Sequence, residues 1–269
     1  MKRLKIIQVS DIHFGGENLL ATEAALARFH QEQPDLIVAA GDLTRDGAVA
    51  EFDAARAWLD RAPQPQLVIP GNHDTPYVGP GEIIERMVAP WRRFEARFGP
   101  ADGAVWRGPG VAVFGVNTAR RAQWRWNWSK GALSNGQIAR LDGALRASPG
   151  EARIVVCHHP LMELTGGPMT GQVHGGTLGA ETLVAAGADL VLSGHIHTPF
   201  VAPYPFGDGK TTAVISGTLS VRERGVPPSF NIIEIGPDDI CVTAMALERT
   251  HFSPWRTRAF DRRKPQPEA

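Results

Sequence analysis

The sequence predicts an α/β fold built around a largely parallel sheet. Short apolar runs recur through the first two-thirds of the chain, and helical patterns separate them. In the last third, apolar runs follow one another with only turns between them, which predicts an antiparallel meander and so a second sheet or mixed sheet edges.

The elements follow in order. LKIIQV (4–9), DLIVAAG (35–41), QLVIPG (66–71), GVAVFGVN (110–117), ARIVVCH (152–158) and DLVLSG (189–194) read as buried strands. Each is short, rich in Val, Ile and Leu, and stopped by Gly or a polar residue, as strands covered on both faces are. Helical patterns span 19–33, 48–61, 82–98, 136–147 and 178–186. The fourth has a start signal: Ser134 with Gln137 three residues on makes a capping box ahead of Ile138, Leu141 and Leu145. TTAVISGTLS (211–220), SFNIIEIG (229–236) and DICVTAMAL (239–247) form the expected meander. The polar, Pro-containing DRRKPQPEA after Phe260 reads as a disordered tail at 261–269, leaving a single domain over 1–260.

Composition narrows the classes of function. The 269 residues, 43% hydrophobic and 21% charged, suit a water-soluble globular chain with a real core. Lys+Arg and Asp+Glu balance at 28 each, so there is no basic field and no nucleic acid is expected as the main partner. The two cysteines, Cys157 and Cys241, form no CxxC pair, which suggests a reducing compartment, and Cys157 reads as core. LKIIQV is too short for a signal peptide and no 18-residue apolar segment occurs, so the default expectation is a cytoplasmic protein with no membrane span.

The strand ends carry chemistry. Asp11-Ile12-His13, Asp42, Asn72-His73-Asp74, His158-His159 and His195-Ile196-His197 each follow an apolar run. That edge is where ligands bind in open α/β sheets. A single His at a strand end is ordinarily structural, and Asp42 alone could cap a helix. Five such ends in one chain are hard to explain by capping, and six of the nine histidines fall there. Imidazole and carboxylate without thiolate suit Zn, Mn, Fe or Ni. Asp11, His13, Asp42, Asn72, His158, His195 and His197 exceed what one ion needs. They suit two ions about 3.5–4 Å apart with a bridging carboxylate, an arrangement used on phosphate esters. In His195-x-His197 the spacing of two places both side chains on one side of an extended segment.

The series D-x-H (11–13), G-D (41–42), G-N-H-D (71–74), H-H-P (158–160) and G-H-x-H (194–197) resembles the calcineurin-like metallophosphoesterase superfamily. Within it, the GNHD form and the chain length resemble bacterial class III cyclic-nucleotide phosphodiesterases and glycerophosphodiesterases. The resemblance implies a four-layer α-β-β-α sandwich of two mixed sheets flanked by helices. It implies two divalent ions (Mn, Fe, Zn or Co), with Asp11, His13 and His197 on one, Asn72, His158 and His195 on the other, and Asp42 bridging. His158 is preferred to His159 as the first His of H-H-P. Asn72 and His73 would be catalytic, His73 facing substrate and Asp74 acting as a hydrogen-bonding support; the other reading of His73 is a loop imidazole tied to Asp74. The activity implied is hydrolysis of small-molecule phosphodiesters, with a phosphomonoesterase, a nucleotide-pyrophosphate hydrolase and a non-catalytic scaffold as alternatives. Related proteins are often dimers or larger, so a homo-oligomer is within expectation.

Two further stretches stand out. In RRAQWRWNWSKG (120–131), Trp124, Trp126 and Trp128 alternate with Arg125 and Asn127, so an extended segment places the indoles on one side. It reads either as a packed flap or as a substrate wall in which Trp126 stacks and Arg125 steers phosphate. The Gly-rich LTGGPMTGQVHGGT (164–177) reads as a loop at a pocket mouth, with His174 exposed.

Overall fold

The computed structural model describes residues 3–77, 79–121, 129–167 and 173–263. Among them the strands form two six-stranded sheets. The first runs β12 (His251–Asp261), β11 (Asp239–Glu248), β10 (Ser229–Ile235), β1 (Leu4–Val9), β2 (Leu36–Ala40), β3 (Gln66–Ile69). The second runs β4 (Val105–Gly108), β5 (Val111–Gly115), β6 (Ala152–Val156), β7 (Leu190–Ser193), β9 (Thr212–Ile215), β8 (Phe200–Pro203). The β1–β2–β3 and β5–β6–β7–β9 neighbours are parallel, while β10, β11 and β12 form an antiparallel meander. The helices are α1 (Leu19–Glu32), α2 (Val49–Asp60), α3 (Pro80–Val88), α4 (Arg92–Phe98), α5 (Asn135–Arg146) and α6 (Gly176–Ala185).

Side-chain alternation explains the uniformly apolar strands, because successive residues enter different layers. Ile6, Val38 and Ile69 of the first sheet meet Val113, Ile154 and Leu192 of the second in one core. Ile7, Ile37 and Ala39 point the other way, onto Phe29 of α1 and Phe52 and Trp58 of α2. Val155, Val191 and buried Cys157 lie with Leu141 of α5 and Leu183 of α6. The result is the four-layer α-β-β-α sandwich. One buried polar clasp joins the sheets: Gln8 Nε2 donates to Ser193 O at 2.9 Å, and Asn231 Nδ2 donates to Gln8 Oε1 at 3.0 Å and Ile215 O at 3.1 Å. Buried amides satisfied in this way fix the register of one layer against the other.

Several expectations change. The helix expected over 82–98 is two helices, because Pro90 has no N–H to donate and disfavours helical backbone at Ala89. The run at 211–220 is not part of the meander: β9 lies parallel to β7 in the second sheet. Strand β12 takes its place at the edge, where Pro254 is tolerated beside a register shift that pairs Met245 with Pro254 and Ala244 with Arg256. Of the expected tail, Asp261 instead closes β12 and Arg263 pairs with Asp208, while 264–269 lie outside the described residues. Among the described residues no helix is long and apolar enough to cross a membrane.

Candidate metal centre

Parallel pairing sends the carboxyl ends of β1, β2 and β3 to one edge of the first sheet, and those of β6 and β7 to one edge of the second. The chain then turns sharply. Asp11, His13, Asp42, His195 and His197 have φ of 55°, 52°, 52°, 73° and 59°, five of the seven non-glycine residues with positive φ among those described. Such backbone costs about 1–3 kcal/mol per residue and persists where the surroundings enforce it. The enforcement is visible: Asp11 N donates to Gly41 O and His13 N to Asp42 O, each at 3.0 Å, so the loops after β1 and β2 are laced together.

Two glycines set the closeness. A Cβ on Gly194 would stand 1.8 Å from Ser10 Oγ and 2.5 Å from Asp11 Oδ2, and one on Gly71 would stand 2.2 Å from Asp42 Oδ1. Both positions exist to let strand tips approach each other without a side chain between them.

The donor atoms of Asp11, His13 and His197 lie within 4.8 Å of one another, as do those of Asp11, Asp42 and His158, and those of His158, His159 and His195. His13 Nδ1 donates to Thr44 O at 3.2 Å and His197 Nδ1 donates to Arg222 O at 2.9 Å. Their Nε2 atoms then face each other at 3.3 Å, and His197 Nε2 also stands 3.2 Å from Asp11 Oδ1, whose charge outweighs burial and raises His197 above its usual pKa. Two acceptors at that distance repel unless a cation or a proton lies between them. His158 Nδ1 likewise donates to Ala40 O at 2.8 Å, and its Nε2 lies 3.2 Å from Asp42 Oδ2 without hydrogen-bond geometry. Each carboxylate has one oxygen held and one spare. Asp11 Oδ2 takes Ser10 Oγ and His195 N, and Asp42 Oδ1 takes His73 N. Asp42 Oδ2 stands 3.2 Å from His158 Nε2 and 3.9 Å from His13 Nε2, between the two ligand groups. Asp11 Oδ1, Asn72 Oδ1 and His158 Nε2 are buried with no hydrogen-bond partner. Orphaned buried acceptors of this kind, all oxygen or imidazole nitrogen, fit divalent ions.

The electrostatics agree. Burial works against the Asp11 and Asp42 charges, yet the neighbouring His197 and His158 hold both carboxyls well below the usual range. Burial lowers His13 and His195 to about 4, so both are neutral lone-pair donors at pH 7. Burial also acts on His158, but Asp42 outweighs it and lifts His158 to about 9. In the ion-free protein a proton therefore occupies His158 below about pH 9 and competes with an ion. Ion uptake at pH 7 is expected to release about one proton or more per chain, and apparent affinity to rise with pH up to about 9. Calorimetry in two buffers of different ionisation enthalpy measures this; uptake with no proton release contradicts it.

His159 is the telling neighbour. Its Nδ1 contacts Thr118 Oγ1 and its Nε2 contacts Ser129 O, both at 2.8 Å, so neither nitrogen is spare. Accordingly His158→Ala is expected to lower the bound ion count and His159→Ala to leave it unchanged, as read by elemental analysis after dialysis against metal. Equal loss in both variants contradicts the assignment.

Asp74 is the hydrogen-bonding support anticipated from sequence. It accepts from Gly71 N, Leu43 N, Thr44 N and Thr44 Oγ1 between 2.8 and 3.1 Å, and burial followed by the Asp42 charge raises it to about 6. His73 is not tied to Asp74: its Nδ1 donates to Arg45 O at 2.6 Å, and its ring stands edge-on to His13 with centroids 4.8 Å apart. His174 is exposed. Trp124, Arg125, Trp126 and Trp128 lie outside the described residues. Sequence reasoning missed Ser10 and Arg222, whose signal is only their position beside a ligand or in the loop after β9. It also missed a cleft of about 840 Å3 at the amino-terminal end of β6, lined by Arg146, Arg153, Lys210 and Arg262, which contains none of the candidate ligands.

Comparison with known proteins gives a consistent set. A family model described as calcineurin-like phosphoesterase matches residues 4–199. A probable cyclic nucleotide phosphodiesterase of Synechococcus sp. is 25% identical over 261 residues, covering 87% of this chain and 89% of that protein. A probable glycerophosphodiester phosphodiesterase GpdQ of Arcobacter nitrofigilis is 24% identical over 170 residues, covering 59% of this chain and 58% of that protein. Among solved structures, a dimetal phosphatase from Danio rerio superposes with a TM-score of 0.69 at 13% identity, covering 93% of this chain and 98% of that one. PhoD superposes with a TM-score of 0.74 at 10% identity, covering 100% of this chain and 72% of that one. These superpositions bear on the fold.

Proposed function

The chain belongs to the calcineurin-like phosphoesterase family and is a metal-dependent phosphoester hydrolase, and from that premise we propose a binuclear phosphodiesterase. Its substrates are small diesters of the cyclic-nucleotide or glycerophosphodiester type, the classes named in its relatives. The observation that carries the reading is the convergence of His13 Nε2 and His197 Nε2 on the spare oxygens of Asp11 and Asp42.

In this reading Asp11, His13 and His197 would hold one ion and Asn72, His158 and His195 the second, with Asp42 serving both. Two divalent ions so held (Mn, Fe, Zn or Co) supply Lewis acidity that lowers the pKa of water and offsets phosphoryl charge. The chain's own contribution is orientation. Carbonyls of Thr44, Ala40 and Arg222 take the Nδ1 protons, which fixes each Nε2 toward the centre. Asn72 adds a neutral oxygen, so the ligand set keeps positive charge for an anionic substrate. His73, anchored through Nδ1 to Arg45 O, presents Nε2 at the mouth, facing the side where the leaving group departs.

The test is turnover of bis(p-nitrophenyl) phosphate against p-nitrophenyl phosphate by metal-reconstituted protein. The diester is expected to be preferred by about tenfold or more in kcat/KM, which corresponds to 1.4 kcal/mol. A monoester preference would replace this reading with a phosphomonoesterase on the same centre.

A further inference from the structure

Arg222 sits where two parts of the site meet, and its backbone and side chain act separately. Its carbonyl oxygen accepts from His197 Nδ1 at 2.9 Å, while its guanidinium reaches across to His73, Nη1 standing 3.4 Å from Nε2. The other arginine beside His73, Arg45, is paired with Asp46 at 2.8 Å. Among the described residues, the exposed Arg222 guanidinium has no carboxylate within ion-pairing distance.

The loop that carries it is firmly held. Thr218 Oγ1 donates to Asp11 O at 2.6 Å, Val221 N donates to Gly16 O at 3.1 Å, and Arg222 N donates to Ser220 Oγ at 3.2 Å. The segment after β9 is thereby fastened to the segment after β1 that bears Asp11 and His13. A guanidinium on such a platform, in contact with His73 and with no carboxylate partner, has a planar fork that matches two oxygens of one phosphoryl group.

We propose that Arg222 is a substrate-binding residue whose guanidinium takes the non-bridging phosphoryl oxygens of the ester, beside the leaving-group position faced by His73. The proposal rests on the phosphoester reading of the metal centre. It makes the loop after β9 a determinant of affinity for phosphoryl anions, diesters and inorganic phosphate alike.

The experiment compares Arg222→Ala, Arg222→Lys and a control, Arg224→Ala, two residues along the same exposed stretch. Truncating the side chain leaves the carbonyl that holds His197, so Arg222→Ala is expected to keep the wild-type ion content and melting temperature. It is expected to lose roughly 10- to 100-fold in kcat/KM on bis(p-nitrophenyl) phosphate, with a matching rise in the inhibition constant of inorganic phosphate. Arg222→Lys falls between, and guanidinium chloride added at millimolar level partly restores Arg222→Ala. Wild-type values from Arg222→Ala in a protein that is itself active would overturn the role of Arg222 and leave the phosphodiesterase reading standing. A wild-type protein that binds its ions but turns over no phosphate ester would overturn both.

Discussion

Asp42→Asn is expected to lose at least one bound ion and about 10³-fold or more in kcat/KM. The substitution is nearly isosteric, and the amide oxygen can still accept the 2.8 Å bond from His73 N, so the loop after β3 keeps its tether. What disappears is the negative charge of Oδ2, the atom lying between His158 Nε2 at 3.2 Å and His13 Nε2 at 3.9 Å. A neutral oxygen cannot offset two cations. The same charge lifts His158 and adds to burial in raising Asp74, so both lose that influence together. Elemental analysis and steady-state kinetics on folded protein read the outcome. Two ions per chain with turnover within tenfold of wild type would remove Asp42 from the bridge.

Gly194→Ala is expected to destabilise the protein by about 3 kcal/mol, lowering the melting temperature by roughly 5–10 °C, and to abolish ion binding. The methyl group would stand 1.8 Å from Ser10 Oγ and 2.5 Å from Asp11 Oδ2, and Ser10 and Asp11 are both fully buried. Neither can swing aside: Ser10 Oγ bonds Asp11 Oδ2 at 2.5 Å and Ala40 O at 3.1 Å. Relief requires β7 to move away from β1, which breaks the Gln8–Ser193 bond and carries His195 and His197 off the centre. Calorimetry with and without added ions checks it. A variant with wild-type stability and two bound ions would mean that the strand tips are looser than described.

Much of this was legible in the sequence for a physical reason. A strand covered on both faces must be apolar throughout, so β1, β2, β6 and β7 announce themselves, and a His or Asp immediately after such a run is conspicuous. Edge strands β4 and β12 give no such signal. β4 alternates exposed and half-buried positions, and β12 carries Pro254 and several charged residues on open surface, so neither stands out as a strand. Strand partners were hidden too: TAVI of β9 looks the same whether it continues a meander or joins β7 in parallel. At the centre, residue types revealed the ligand candidates, whereas the choice between His158 and His159 depends on which carbonyls and hydroxyls lie across the sheets. That information is tertiary. Arg222 was invisible for the same reason, since nothing near it in sequence links it to His73 or His197.

The most direct test of the central claim is anomalous diffraction from crystals soaked in Mn or Zn. Two peaks are expected on either side of Asp42 Oδ2, one against Asp11, His13 and His197 and one against Asn72, His158 and His195. A single peak, or ions bound only in the cleft beside Arg146 and Arg153, would contradict it.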